Sequence, residues 1–216
     1  MTEEEWLASA SPVAMLHDLN PDCNGRKVML SAVAMFLRVL GLLTDAMHEW
    51  IELAERVAAG QATDGDFEDF PSLNLVAENE VEYYAERGSP DSRAQYAAMG
   101  DMVTCTWMTG KREFAPVNPV PPEELEPVRR ANAELVRDIF GNPFRPVTFA
   151  LEWRTDTAIA IAAQMYESRD FSAMPILADA LQDAGCDNDD VLNHCRDPKQ
   201  VHVRGCWVVD LVLGLL

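Results

Sequence analysis

The 216-residue chain reads as an all-α protein: a compact multi-helix bundle of about ten helices, in one body or two lobes. Three observations carry that reading. Apolar residues recur three and four apart, as in Met47, Trp50, Ile51, Leu53, Ala54 and Val57, which share one face of a helix. Starters and stoppers punctuate the apolar segments: Thr2, Ser11-Pro12 and Thr44-Asp45 at beginnings, Gly60, Gly88, Gly141 and Gly185 at ends. No stretch alternates convincingly with period two, and no turn signal joins two apolar runs into a hairpin. With 48% hydrophobic residues, the chain has enough apolar material for a core.

Each element follows from local chemistry. Thr2 caps a short helix whose first turn holds Glu3, Glu4 and Glu5, where the helix dipole favours acids, and Trp6 and Leu7 are its expected core contacts. Ser11-Pro12 opens a second, with Met15, Leu16 and Leu19 inward. Residues 26–43 are apolar on nearly every face, as befits a helix in the middle of a bundle. Thr44-Asp45 restarts the chain into a helix that ends at Gly60. Residues 63–71 read as an acidic loop, 73–86 as a helix stopped by Gly88, and 90–108 as another. Residues 114–122 hold four prolines in nine positions, a strap or linker that no helix continues through. This suggests an N-terminal helical lobe over 1–113 and a C-terminal one over 123–216.

In that second lobe, 123–140 is an amphipathic helix bearing Leu125, Val128, Leu135, Val136 and Ile139. Residues 144–153 cross as an irregular or extended segment. A helix is expected over 156–168, and another from an Asp170 cap to Ala184. Asp187 to Asp190 cap a short helix carrying Val191, Leu192 and Cys195, which Pro198 breaks. The last apolar segment, 204–213, reads as a helix, with a buried strand over 203–209 as the alternative.

There are 36 Asp and Glu against 17 Lys and Arg, a formal net charge of -19. That balance argues against direct nucleic-acid binding, which needs a basic face, and against docking on anionic membranes. The most apolar run, 28–43, is interrupted by Arg38 and Gly41 and falls short of the roughly 20 apolar residues a membrane crossing needs. The acidic opening lacks the basic start of a signal peptide. Five cysteines, Cys23, Cys105, Cys186, Cys195 and Cys206, are an odd number, so free thiols in a reducing cytoplasm are expected.

The densest group of chemically capable residues is Cys186, His194, Cys195, His202 and Cys206. Thiolate and imidazole suit zinc, yet no Cys-x-x-Cys knuckle is present, and adjacent His194 and Cys195 point apart on a helix. The leading reading makes the cysteines small core hydrophobes, with no cofactor; the alternative is a zinc or thiol-dependent site. Asp45, His48, Glu49 and Glu52 share a helix face, and Glu78, Glu80 and Glu82 could join them as in a di-iron bundle. Such bundles need two Glu-x-x-His units, so this reads as a solvated acidic face. Cys195 or Cys206 with His202, and Asp210 as orienter, could be drawn as a nucleophilic site on sequence nearness alone. There is no Gly-x-Ser-x-Gly elbow and no phosphate-binding glycine loop. Asp187-Asn188-Asp189-Asp190 lacks the central glycine and final glutamate of a calcium loop.

Three stretches resemble a known family: Asn142-Pro143-Phe144-Arg145-Pro146-Val147 with Trp153; Met174-Pro175-Ile176-Leu177-Ala178-Asp179-Ala180-Leu181 with Ala184-Gly185-Cys186; and His194-Cys195-Arg196 with His202-Val203-Arg204-Gly205-Cys206-Trp207-Val208-Val209-Asp210-Leu211. Together with the opening Met1 to Leu7, these are similar to a large uncharacterised bacterial family of planctomycete type. The specific match covers 140–214, the first sixty residues match loosely, and 61–120 do not match. The resemblance implies a bacterial cytoplasmic protein and no particular chemistry. Relatives tend to carry a Cys-Cys pair followed by basic residues in the helix matching 26–43, where this chain has Met35 and Phe36 with a single Arg38. A site using that pair together with the C-terminal cluster would be half lost here, and core-filling cysteines fit equally.

The sequence therefore leads to a non-enzymatic acidic adaptor that binds another protein with a basic surface. Its expected contact surface is Asp64, Asp66, Glu68, Asp69, Glu78, Glu80 and Glu82. The alternatives are the zinc or thiol site and an acidic nucleic-acid mimic that sequesters a basic protein.

Overall fold

A computed structural model describes residues 1–19, 25–39, 41, 43–63, 65–66, 79–81, 83–84, 87–89, 92, 94–96 and 120–215. The expected helices over 73–86 and 90–108, most of the proline-rich strap, Cys23 and Cys105 lie wholly or mostly outside these residues. The fold is all-α: nine α-helices and one 3-10 turn lie wholly within the described residues, which also include helical residues between 65 and 96 and no strand. By its contacts the chain divides into two units, Met1–Val136 and Arg137–Leu216.

In the N-terminal unit, α1 (Glu3–Ala8) begins with a full capping box. The Thr2 hydroxyl accepts from the Glu5 backbone, the Glu5 carboxylate accepts from the Thr2 backbone, and Trp6 is buried. Ser11 caps α2 (Pro12–Asp18), which buries Met15 and Leu16. α3 (Gly25–Leu37) buries residues on most of its faces, as its composition predicts. It stops six residues before the expected end, and the Arg38 guanidinium then donates to the Ala131 carbonyl at 3.0 Å. α4 (Asp45–Ala58) starts at the Thr44 cap and packs on α3, with Phe36 and Trp50 stacked 5.0 Å apart.

α5 (Pro122–Phe140) is one continuous helix with Pro127 inside it. The division between the units falls within this helix, between Val136 and Arg137, and not at the proline-rich strap. The reason is the last turn of α5, whose Asp138 bonds to residues near the C-terminus.

The C-terminal unit continues through a 3-10 turn (Leu151–Trp153), α6 (Asp156–Ser168), α7 (Met174–Asp183), α8 (Asp189–Arg196) and α9 (Trp207–Leu213). Thr155 and Asn188 cap α6 and α8. The expected start of α7 at Asp170 is corrected: Asp170 accepts from the Ser172 backbone in a turn, and the helix begins at Met174, where Pro175 sits in the first turn. The segment 204–213 is helical only from Trp207, preceded by a turn at Gly205 with φ +89°. Two arginines reach helix ends and donate to carbonyls of the last turn. Arg204 donates to Tyr166 at 2.7 Å at the end of α6, and Arg154 to Val212 at 2.8 Å at the end of α9. The core includes Met165, Met174, Leu177, Leu181, Val191, Val208 and Val209, together with Cys186, Cys195 and Cys206.

Candidate metal centre

Four side chains from separate places in the C-terminal unit meet in its interior: Asp138, His194, His202 and Cys206. Asp138 is on the last turn of α5, fully buried. His194 is on the last turn of α8, whose position is set by the Asn188 cap and by the Arg196 guanidinium, which donates to Asp179 on α7 at 2.8 Å. His202 lies in the loop between α8 and α9. Cys206 occupies the N-cap position of α9 and is fully buried.

The distances define the cluster. His202 Nδ1 lies 2.8 Å from Asp138 Oδ1, and His194 Nε2 lies 3.2 Å from the same oxygen. The Val203 N–H donates to Asp138 Oδ2 at 2.9 Å. Cys206 Sγ is 3.2 Å from His194 Nε2 and 3.8 Å from His202 Nδ1. One donor atom from each residue lies within 4.8 Å of all the others. The two rings stand edge to face, 4.8 Å between centres.

Protonation follows from these contacts. Burial pushes the Asp138 carboxyl up, but the hydrogen bonds from His194 and His202 outweigh it and hold the group below its ordinary value. Asp138 is therefore a buried carboxylate with imidazole partners. Burial drives the Cys206 thiol well above its ordinary value, with the nearby Asp138 charge adding to the effect. His202 Nε2, the far nitrogen of its ring, is buried and meets no partner among the described residues.

The geometry separates two chemistries. A Cys-His-Asp relay needs an imidazole that offers one nitrogen to the thiol and the opposite nitrogen to the carboxylate. Here His194 turns a single nitrogen to both groups, and so does His202. The donors converge on a point instead of forming a chain. Zinc bonds of about 2.0–2.3 Å at tetrahedral angles separate neighbouring donors by about 3.3–3.6 Å. Four of the donor contacts, 2.8 to 3.8 Å, lie on either side of that range, and the set as a whole spreads to 4.8 Å.

Three of the five residues singled out in the sequence are thus brought together. Cys186, just after α7, and Cys195, on α8, are buried in the surrounding core and lie outside the set of four donors. Burial raises both thiols, that of Cys195 to about 12. Asp138, not Asp210, is the carboxylate that meets His202. Sequence reasoning passed over Asp138, although a signal was present: it falls three residues after Leu135 and beside Ile139, putting a charge on the buried face of α5.

The other candidates fall elsewhere. Asp45, His48, Glu49 and Glu52 are all exposed on α4. Of the expected acidic contact surface, Asp66 pairs with Arg56 and Thr63, and Glu80 bonds to the Thr44 hydroxyl. Asp64, Glu68, Asp69, Glu78 and Glu82 lie outside the described residues. Asp189 and Asp190 form the exposed first turn of α8. Among the described residues, no helix is long and apolar enough to cross a membrane. Neither a family model, a curated protein nor a solved structure matches the chain.

Proposed function

We propose that this is a non-enzymatic, zinc-binding helical protein, in which Asp138, His194, His202 and Cys206 hold one ion that fastens the loop before α9 to the end of α5. The observation that carries the reading is the convergence of four donor atoms, three from one stretch of chain and the fourth from the remote Asp138, at one largely buried place. One sulfur, two nitrogens and one oxygen favour zinc over magnesium or calcium, which take oxygen ligands. Four protein ligands fill a tetrahedron, the pattern of structural sites, whereas catalytic sites keep a position open. Ion binding would deprotonate the Cys206 thiol, which burial otherwise keeps neutral. Cys186, Cys195 and Cys206 as free thiols support a reducing, cytoplasmic setting. The acidic balance supports a protein partner with a basic surface.

The test is elemental mass spectrometry on protein purified without a His tag, followed by cobalt substitution. One zinc per chain is expected, with a cobalt-thiolate absorption band that disappears in Cys206→Ser. Protein that takes up neither ion after dialysis against micromolar zinc or cobalt overturns the reading.

A further inference from the structure

The four donors are unequally covered. Asp138 and Cys206 are fully buried, while the side chains of His194 and His202 are 10% and 6% exposed. The accessible surface left to the four side chains therefore belongs to the imidazoles. Trp207, the residue after Cys206, is half-buried, and its ring lies against His194 with 5.1 Å between centres and a tilt of 52°. The same indole rests on Gly141, where an added Cβ would come within 3.1–3.3 Å of three of its ring carbons.

Gly141 follows α5 directly, three residues after Asp138, with φ +69°. Its φ already favours glycine, and the bare Cα is a separate requirement, because it lets the indole settle at van der Waals distance. The end of α5 thus supplies one of the donors and also the seat for the ring that packs against a second.

From this arrangement, and resting on the zinc reading above, we infer that Trp207 seated on Gly141 is the positioning and shielding residue of the centre. It clamps the His194 ring in its ligating orientation and sets how fast the ion leaves. Release requires an imidazole to swing away and water or a competing ligand to take its place. The indole blocks both along the His194 side. Residues that orient ligands and exclude water change metal affinity by about tenfold or more when removed.

The experiment follows zinc transfer from the full-length, zinc-loaded protein to a chromogenic chelator. Trp207→Ala should release zinc about tenfold faster than the wild type, Trp207→Phe should stay close to it, and Gly141→Ala should fall between. The cobalt spectrum of Trp207→Ala should also change shape as His194 loses its clamp, while that of Trp207→Phe should not. A folded Trp207→Ala protein with full zinc content and the wild-type release rate overturns the inference. If the alanine variant does not fold, Trp207→Leu decides: it keeps apolar volume without the planar cover, so faster release supports the inference and an unchanged rate overturns it. Wild-type protein that takes up no zinc overturns the metal reading itself, an outcome separate from a loaded protein indifferent to Trp207.

Discussion

Among the described residues, the two units keep their carboxylates in different places. The N-terminal unit carries 24 acidic residues against 10 basic ones, yet its largest fully buried side chains among the described residues are Trp6, Trp50, Phe36, Met15, Met35 and Met47. One of its acids, Asp66, is held at the surface by the Arg56 guanidinium and the Thr63 hydroxyl and backbone. The C-terminal unit is milder, 12 acidic against 7 basic, and parts of its core are small, with Ala158, Ala162 and Ala178 fully buried. Among the described residues, however, both fully buried carboxylates, Asp138 and Asp210, belong to this unit. Acid content therefore does not locate the candidate chemistry. A surface carboxylate costs little to keep charged. A buried one is retained only where partners offset its desolvation, and those partners make the site.

The sharpest way to break this comparison is Asp138→Ala. It leaves two imidazoles and the Val203 N–H without their shared acceptor, and should cost about 3–5 kcal/mol as well as the zinc. Urea denaturation would give the loss, and hydrogen exchange should place it in peptides from 189–213. A variant as stable as the wild type would mean that the carboxylate holds nothing together.

Trp50→Ala is the matching lesion in the apolar core. Removing a fully buried indole stacked on Phe36 should cost about 3–5 kcal/mol, with loss of exchange protection in 25–58 and zinc content unchanged. Coupled loss of zinc would show that the two units do not behave separately.

Paired cysteine substitutions sharpen the contrast within the C-terminal unit. Cys206→Ser should release the ion. Cys195→Ser should keep it and cost about 1–3 kcal/mol, because it buries a hydroxyl among apolar side chains. Metal analysis beside thermal melts would separate the two, and equal zinc loss in both would widen the donor set.

The smallest effect concerns pH. The Arg56 guanidinium, followed by the Thr63 backbone and hydroxyl, pulls the Asp66 carboxyl from 3.8 to about 2. Because the folded value lies below the unfolded one, the tether contributes fully above the unfolded value and is lost as pH falls through about 2. A carboxyl-carbon NMR titration should find Asp66 still ionised when ordinary aspartates have protonated. A midpoint near 3.8 would mean that the tether does not form in solution.

Much of this architecture is legible along the chain. The caps at Thr2, Ser11 and Thr44 begin helices where the residues say they should, because a side-chain oxygen within three residues of an orphan N–H is a local fact. Asp170 misled for the same local reason. An aspartate serves a turn as well as a cap, and Pro175 was the better marker of where α7 begins. His194, His202 and Cys206 were legible as a group of metal-binding residue types near one another in sequence. Asp138 stands 64 residues before His202, and nothing local connects them.

The sequence by itself determined the all-α class, the helix caps, the apolar faces and the chemical types gathered near the C-terminus. These follow from periodicity and from bonds that span a few residues. Only the tertiary structure decided which carboxylate completes the cluster, that Cys186 and Cys195 stay in the core, and that the division between the units runs through α5. Each of those outcomes depends on desolvation and on contacts between distant segments, and neither quantity exists until the helices have packed.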